Sequence, residues 1–251
     1  MKVFASDFDG TLFFDNTFRS YDIEAIRKFQ NEGHLFGLCS GRPLKGVTVV
    51  SKGFIDYDFY IVCSGALIVD KKGNILDEQL IEFDDMKDIF ECYEKQKGIC
   101  VQADGVIYRK NAVPYESKEV QKMIQSLDEL KQSHIYGLSI DASTNENAKL
   151  LCEEINHLYP RVNAFQNNEY IDIVKKGCSK GTGICKLKDI FNINEVAGIG
   201  DSYNDLPMFE AVDHAFTFTT SSNDIKEKAN DVVDSVCEAI NILMNGEWTN
   251  D

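Results

Sequence analysis

The sequence lacks most of the signatures that would settle a function class at once. Its eight cysteines (39, 63, 92, 100, 152, 178, 185 and 237) contain no C-x-x-C pair, so free thiols in a reducing cytosol fit better than a disulfide framework. No apolar run approaches the ~20 residues of a membrane span. Only a few apolar residues separate Lys2 from Asp7, too few for a secretory signal. Basic charge is scarce: 26 Lys and Arg stand against 41 Asp and Glu, a net charge of −15, which argues against a nucleic-acid binder neutralising phosphates over a broad surface. A small phosphorylated substrate stays open. Screening confines surface repulsion to roughly 8 Å at physiological salt, and a divalent metal with one or two cations dominates inside a cleft. The four histidines, His34, His134, His157 and His214, show neither metal-like nor triad-like spacing and read as surface or packing residues. A calcium loop counted from Asp7 fails, because Leu12 and Phe18 stand where glycine and glutamate are needed. Gly177, Gly181 and Gly183 make neither a P-loop nor a G-x-G-x-x-G fingerprint, since no G-K-[ST] follows and Lys186 replaces the last glycine.

What is present is enough apolar residue, 43% of 251, to bury a sizeable core in one large or two smaller domains. The chain opens M-K-V-F-A-S-D-F-D-G-T. A short run of strand formers stops abruptly at Asp7 and Asp9, followed by Gly10. In an open parallel sheet, ligands bind at the carboxyl ends of strands, so these acids are candidate site residues. On this segment alone a plain turn explains them as well. An amphipathic helix is expected from Tyr21 to Glu32, then a buried strand from His34 to Cys39 ending in Ser40-Gly41-Arg42, with Pro43 at the start of the next helix. A hydroxyl, a glycine and an arginine at a strand end suit an oxyanion, while a helix cap by Ser40 and a surface Arg42 account for the same residues. A third strand, Phe59 to Cys63, ends at Ser64-Gly65, and a hairpin over Ala66–Val69 and Ile75–Leu80 follows.

This beginning is that of a doubly wound, Rossmann-like α/β fold with a parallel sheet. From about Ile81 the rhythm changes. Helices are expected over Phe83–Lys97, Ser117–Leu130 and Asn145–Leu158, with strands at Ile99–Ala103, Val106–Lys110, Ile135–Ile140, Val162–Gln166 and Tyr170–Val174. Hairpin-linked strands suggest an antiparallel sheet with helices on one face, an inserted α+β domain. The expected division is 1–80 plus 178–251 for the core and 81–177 for the insert, with no glycine- or proline-rich linker at the borders. The α/β pattern resumes at K-K-G-C-S-K-G-T-G, residues 175–183. Lys180 lies in the first turn of a helix, where a cation opposes the dipole unless an anion sits nearby. A buried strand, Val196–Ile199, then ends in Gly200-Asp201-Ser202-Tyr203-Asn204-Asp205, more polar groups than helix capping needs. Ala215–Thr219 as a strand and Val236–Met244 as a helix complete the fold, with Trp248 in a short tail.

Four strand ends therefore present Asp7/Asp9, Ser40, Lys180 and Asp201/Asp205 in order on one face of one sheet. D-F-D-G-T, S-G-R, S-K-G and G-D-S-Y-N-D resemble the four motifs of the haloacid dehalogenase superfamily of phosphatases. The insert between the second and third motifs looks like the large cap of the Cof-type group. The resemblance spans essentially the whole chain. It implies a cytoplasmic, Mg²⁺-dependent phosphatase acting on a small phosphorylated metabolite, such as a sugar phosphate, through an aspartyl-phosphate. It further implies Asp7 as nucleophile and Asp9 as acid and base. Asp7, Asp201 and the main-chain carbonyl of Asp9 would be the metal ligands, and Asp205 would order the metal's surroundings. Ser40, Gly41, Lys180 and Asn204 would hold the phosphoryl group, and Arg42 would assist substrate binding. Relatives often carry Asn-Gly where this chain has Ser64-Gly65, and a Met-Gly-Asn-Ala-like segment where it has Thr217-Phe218-Thr219-Thr220. In the insert, Tyr108, Arg109 and Arg161 have side chains that could reach substrate, but solvated surface positions are the favoured reading. Two other readings stand beside the phosphatase: a sugar-phosphate mutase of the same superfamily, and a noncatalytic receiver-like phosphoacceptor module. The sequence leaves oligomeric state and the roles of Phe13, Phe14 and Phe18 open.

Overall fold

The computed structural model describes residues 1–96, 98–110 and 116–246. Lys97, at the end of one expected helix, and Trp248 lie outside them. The elements run β1 (Val3–Ser6), β2 (Phe13–Phe14), β3 (Thr17–Phe18), α1 (Ser20–Asn31), β4 (Leu35–Cys39), α2 (Leu44–Ser51), β5 (Phe59–Val62), β6 (Leu67–Asp70) and β7 (Ile75–Glu78). There follow α3 (Phe83–Tyr93), β8 (Cys100–Ala103), β9 (Val106–Lys110), β10 (Gln121–Ile124), β11 (Ile135–Asp141), α4 (Asn145–Leu158), β12 (Val162–Asn167) and β13 (Tyr170–Lys175). The chain closes with α5 (Lys180–Phe191), β14 (Val196–Ile199), α6 (Leu206–Ala211), β15 (His214–Phe218), α7 (Asn223–Lys226), β16 (Asp231–Val233) and α8 (Val236–Asn245).

The first sheet has the order β16-β15-β14-β1-β4-β5-β6-β7. Its pairs are parallel from β16 to β5, and β6 and β7 add an antiparallel edge. Strand alternation divides β1 between two cores. Phe4 joins Phe36, Phe216 and the α1 and α8 residues Ile26, Phe29, Ile240 and Leu243, while Val3 and Ala5 face Ile184 and Leu187 of α5 and Met208 of α6. Phe4 stacks on Phe36 (5.6 Å between centroids) and Phe216 (5.9 Å) and meets Phe29 edge-on (6.4 Å). Burying such a ring stabilises by about 1.5–3 kcal/mol. With helices packed on both faces, the sheet is doubly wound as expected.

The second sheet has the order β10-β9-β8-β11-β13-β12 and a separate apolar core built with α3 and α4, including Met86, Ile89, Phe90, Ala148 and Ile155. Two expectations need correction here. The sheet is antiparallel except for one parallel pair, β9 with β10. Ser117–Leu130 is not a helix: it forms β10 and a one-turn 3₁₀ segment at Leu127–Leu130. The physical reason is a capping box at Ser126. Its hydroxyl accepts from Asp128 N (3.2 Å), and Glu129 Oε1 accepts from the N–H groups of Gln125 (2.7 Å) and Ser126 (2.9 Å), so a turn starts where a helix would have to continue. The helical spacing of Ile124, Leu127 and Leu130 is real, but strand pairing and a capped turn bury all three against the same core.

Candidate active site

The motif residues converge beyond the carboxyl ends of β1 and β14. Asp7 follows β1 directly, and its N–H donates to Ile199 O (2.9 Å), carrying the ladder one residue past the strand and fixing where the side chain leaves the sheet. Lys180, the first residue of α5 and only 1% exposed, donates from Nζ to Asp7 Oδ1 (2.6 Å) and to Asp205 Oδ1 (2.6 Å). These two carboxylates supply the anion that a cation at a helix N-terminus calls for. Asp205 is fully buried, and its Oδ2 accepts from the N–H groups of Asp201 (3.0 Å) and Ser202 (3.0 Å), so it orders the turn after β14. Asp201 Oδ1 accepts from Thr11 Oγ1 (3.2 Å). Gly10, at φ +75°, lets the first loop pass this group: a Cβ there would lie 2.7 Å from Asp201 Oδ2.

Asp7, Asp201 and Asp205 have carboxylate oxygens within 4.8 Å of one another. Burial, together with Asp205 and Asp201, holds the Asp7 carboxyl well above its usual range against the opposing pull of Lys180. Burial and then Asp205 push Asp201 up to about 7. Burial would lower Lys180, but Asp205 and Asp7 outweigh it and raise its pKa. Three acids share one lysine, so the cluster is short of positive charge. A hard divalent cation fits that shortfall and the all-oxygen donor set. Asp205 has both oxygens committed to Lys180 and to main-chain N–H groups, which leaves Asp7 and Asp201 as the carboxylates able to hold it.

Asp9 turns its carboxylate away from this cluster. Arg42 grips it with a two-point fork, Nε to Oδ2 (2.7 Å) and Nη2 to Oδ1 (2.7 Å), and also donates from Nη1 to Gly46 O (3.1 Å). The guanidinium lies 5.2 Å from the Phe8 ring centroid and 5.6 Å from that of Phe13. Arg42 is thus no idle surface residue. Phe13 stacks on Phe8 (5.1 Å) and meets Phe18 (5.1 Å), while Arg19 sits 4.0 Å over Phe14, so all three of these aromatics have packing roles. Ser40 is buried, and its hydroxyl accepts from Arg42 N (3.2 Å). It shapes the loop, while Pro43 takes the N-cap of α2. Beneath the site Cys39 is fully buried with Sγ donating to Lys180 O (3.6 Å), and burial raises its thiol pKa far beyond neutrality.

Asp7, Asp9, Ser40, Gly41 and Arg42 share a cavity of about 400 Å³ with Gln102, Arg109, Glu116, Ser139, Asn167, Glu169 and Asp172 from the second sheet and its loops. The expectation for Tyr108 and Arg109 therefore fails: both are buried, and Arg109, at 8% exposure, lines the cavity. Arg161 does stay exposed, paired with Asp85 of α3 (2.5 Å). Asp172 escaped sequence reasoning. It is 5% exposed, and its Oδ2 accepts from Ser64 Oγ (3.2 Å) and Asn204 Nδ2 (3.3 Å). Burial raises its pKa, opposed by Lys180 and these hydrogen bonds. The signal was a lone acid between Ile171 and Ile173 in an otherwise apolar strand.

The family model for haloacid dehalogenase-like hydrolases matches residues 4–240. A curated relative from Bacillus subtilis (strain 168), 5-amino-6-(5-phospho-D-ribitylamino)uracil phosphatase YwtE, is 25% identical over 289 residues, covering 99% of this chain and 100% of the relative. Among solved structures, a haloacid dehalogenase-like hydrolase from B. subtilis superposes with a TM-score of 0.85 at 21% identity, covering 99% of this chain and 100% of that one. A subclass IIB sugar phosphatase of the same superfamily gives 0.80 at 21% identity, with 99% and 100% covered. The match runs from β1 through both sheets into α8, and the chain belongs to the haloacid dehalogenase-like hydrolases.

Proposed function

We propose that the chain is a Mg²⁺-dependent phosphatase releasing phosphate from the monoester of a small, hydroxyl-rich metabolite, such as a sugar phosphate, by way of an aspartyl-phosphate on Asp7. The observation that carries this reading is the meeting of two carboxylate groups: Asp7, bound to Lys180 and close to Asp201, lines the same cavity as Asp9 in the grip of Arg42. Asp7 attacks phosphorus, the bond to the leaving oxygen breaks, and Asp9 gives that oxygen a proton. Water then attacks the aspartyl-phosphate, Asp9 takes its proton back, and Asp7 is freed. Lys180, Ser40, Gly41 and Asn204 surround the place where the phosphoryl oxygens must gather charge. Arg42 holds Asp9 in place as a carboxylate, and its fork must open at one oxygen for Asp9 to carry the proton. Mg²⁺, held by Asp7, Asp201 and the Asp9 carbonyl, would screen the negative charge of nucleophile and phosphate from each other.

The leaving group meets Gln102, Ser139 and Asn167, side chains that suit hydroxyls, and the B. subtilis relative is named for a phosphoribityl compound. A mutase needs cationic side chains in the cap for a second phosphate. Here Arg109 faces the cavity beside Glu116, Glu169 and Asp172, a balance that favours hydrolysis. The test is phosphate release from a panel of phosphorylated metabolites, with Mg²⁺ and with chelator, for the wild type and Asp9→Asn. Release that needs Mg²⁺ and falls by about 10²-fold or more in the variant supports the mechanism. Turnover indifferent to chelator, or an Asp9→Asn enzyme as fast as the wild type, would refute it.

A further inference from the structure

Asp172 belongs to the second sheet, yet its carboxylate is spent on the loops of the first. Ile171 and Ile173 of β13 are buried in the second core, so strand alternation turns Asp172 to the opposite face. There its Oδ2 takes the Ser64 hydroxyl (3.2 Å) from the loop after β5 and the Asn204 amide (3.3 Å) from the loop after β14. The loop after β4 passes so close that a Cβ on Gly41 would lie 2.4 Å from the same oxygen. Ser64, at φ 50° and ψ 39°, holds a left-handed conformation that aims its hydroxyl at this point. Asn167 adds a further donor. These neighbours all donate, and their hydrogen bonds support the ionised carboxylate against the burial that raises its pKa.

Gly41 and Asn204 are also the positions that the proposed function gives to the phosphoryl group. An amide carries two N–H donors, so Asn204 can give one to Asp172 and keep the other for a phosphoryl oxygen. We propose that Asp172 is a positioning residue reaching from the cap into the phosphoryl subsite: it fixes Asn204 and Ser64, and its charge limits how tightly phosphate is held, which hastens product release. This inference rests on the functional reading above. A carboxylate beside a bound phosphate dianion repels it, and relieving that like-charge repulsion should tighten affinity by about tenfold or more.

The experiment is inhibition of the Mg²⁺-loaded full chain by inorganic phosphate, measured with kcat, KM and thermal unfolding for the wild type, Asp172→Asn and Ser64→Ala. Asp172→Asn keeps the size and an acceptor oxygen but removes the charge. Phosphate should inhibit it about tenfold more tightly, with KM and kcat both lowered because release slows. A residue with only a structural role would not tighten phosphate binding. Ser64→Ala withdraws one donor from the carboxylate, leaves more of its charge facing the subsite, and should weaken phosphate inhibition. Unchanged or weaker inhibition in Asp172→Asn overturns the inference. Should that variant not fold, Ser64→Ala decides, and unchanged inhibition there overturns it equally. A wild type that neither releases nor binds phosphate would sink the functional reading itself, whereas a working wild type with an unaltered Asp172→Asn sinks this inference alone.

Discussion

Replacing Lys180 by methionine keeps most of the length of the side chain and removes its charge. In the structure that charge answers two carboxylates directly, at 2.6 Å each, with Asp201 close by, and both Lys180 and Asp205 are cut off from water. Breaking a buried ion pair by removing one partner costs about 3–5 kcal/mol, because the remaining charges lose their compensation without regaining solvent. Each kcal/mol moves the melting temperature of a domain this size by roughly 2–4 °C, so Lys180→Met should melt roughly 6–20 °C lower in metal-free buffer. The assay is thermal unfolding followed by circular dichroism, repeated with Mg²⁺. Added Mg²⁺ should restore part of the loss, since a cation between Asp7 and Asp201 replaces some of the missing charge. Turnover should stay low even with Mg²⁺, because the proposed phosphoryl contact has gone. A melting temperature within about 2 °C of the wild type would show that the carboxylates are not held together by Lys180, and would refute the charge argument.

Arg42→Ala should behave in the opposite way. The pair with Asp9 is open to solvent, with side chains 29% and 50% exposed, so stability should change by no more than about 1 kcal/mol, whereas kcat should fall by about 10²-fold as Asp9 loses its two-point anchor. Unchanged kcat would contradict that positioning role. Asp22 offers a test of pH dependence. It is buried beneath α8, its Oδ1 accepts from Cys237 N (2.7 Å), and burial raises its pKa in the folded protein. The fold therefore holds this proton more tightly than the unfolded chain does. The penalty for charging it is absent below about pH 4, grows as pH rises through the raised folded value, and is complete above that. Asp22→Asn keeps an acceptor for Cys237, so the stability gap between wild type and variant in urea unfolding should move in the variant's favour between pH 4 and pH 7. A gap independent of pH would contradict the assignment.

The core was legible because its strands are short, β-branched or aromatic, and end in polar groups. Val3 to Ala5, Leu35 to Cys39 and Val196 to Ile199 each end within two residues of a candidate site residue, and the helices between them have clear apolar spacing. The convergence of Asp7, Asp201 and Asp205 followed from the same rule that strand ends in a parallel sheet face one way, whereas Lys180, expected at a strand end of that sheet, instead opens α5 after β13 of the second sheet and reaches the acids from a helix N-terminus. The second sheet was harder to read. Its Ser117–Leu130 segment has helix-like spacing, and only the Ser126–Glu129 cap shows why a helix does not form. Asp172 was missed, and Arg109 was favoured as a surface residue, for a related reason. Each is a charged residue on a strand, which in isolation reads as a solvent-facing position, and its burial exists only once the two sheets face each other across the cavity.

Cys39, sealed under Lys180 with its thiol held protonated, has a consequence for the chemistry above it. With a carboxylate as the proposed nucleophile, the chemistry calls on no thiolate, and the two sulfurs at the site, Cys39 beneath it and Cys100 on the cavity wall, are both buried with their thiol pKa values raised. Peroxides and alkylating agents that silence a thiolate nucleophile would meet the exposed thiols Cys92 and Cys185 first, neither of which lines the cavity. Catalysis by this chain would then continue through oxidative conditions that stop a cysteine-based phosphatase.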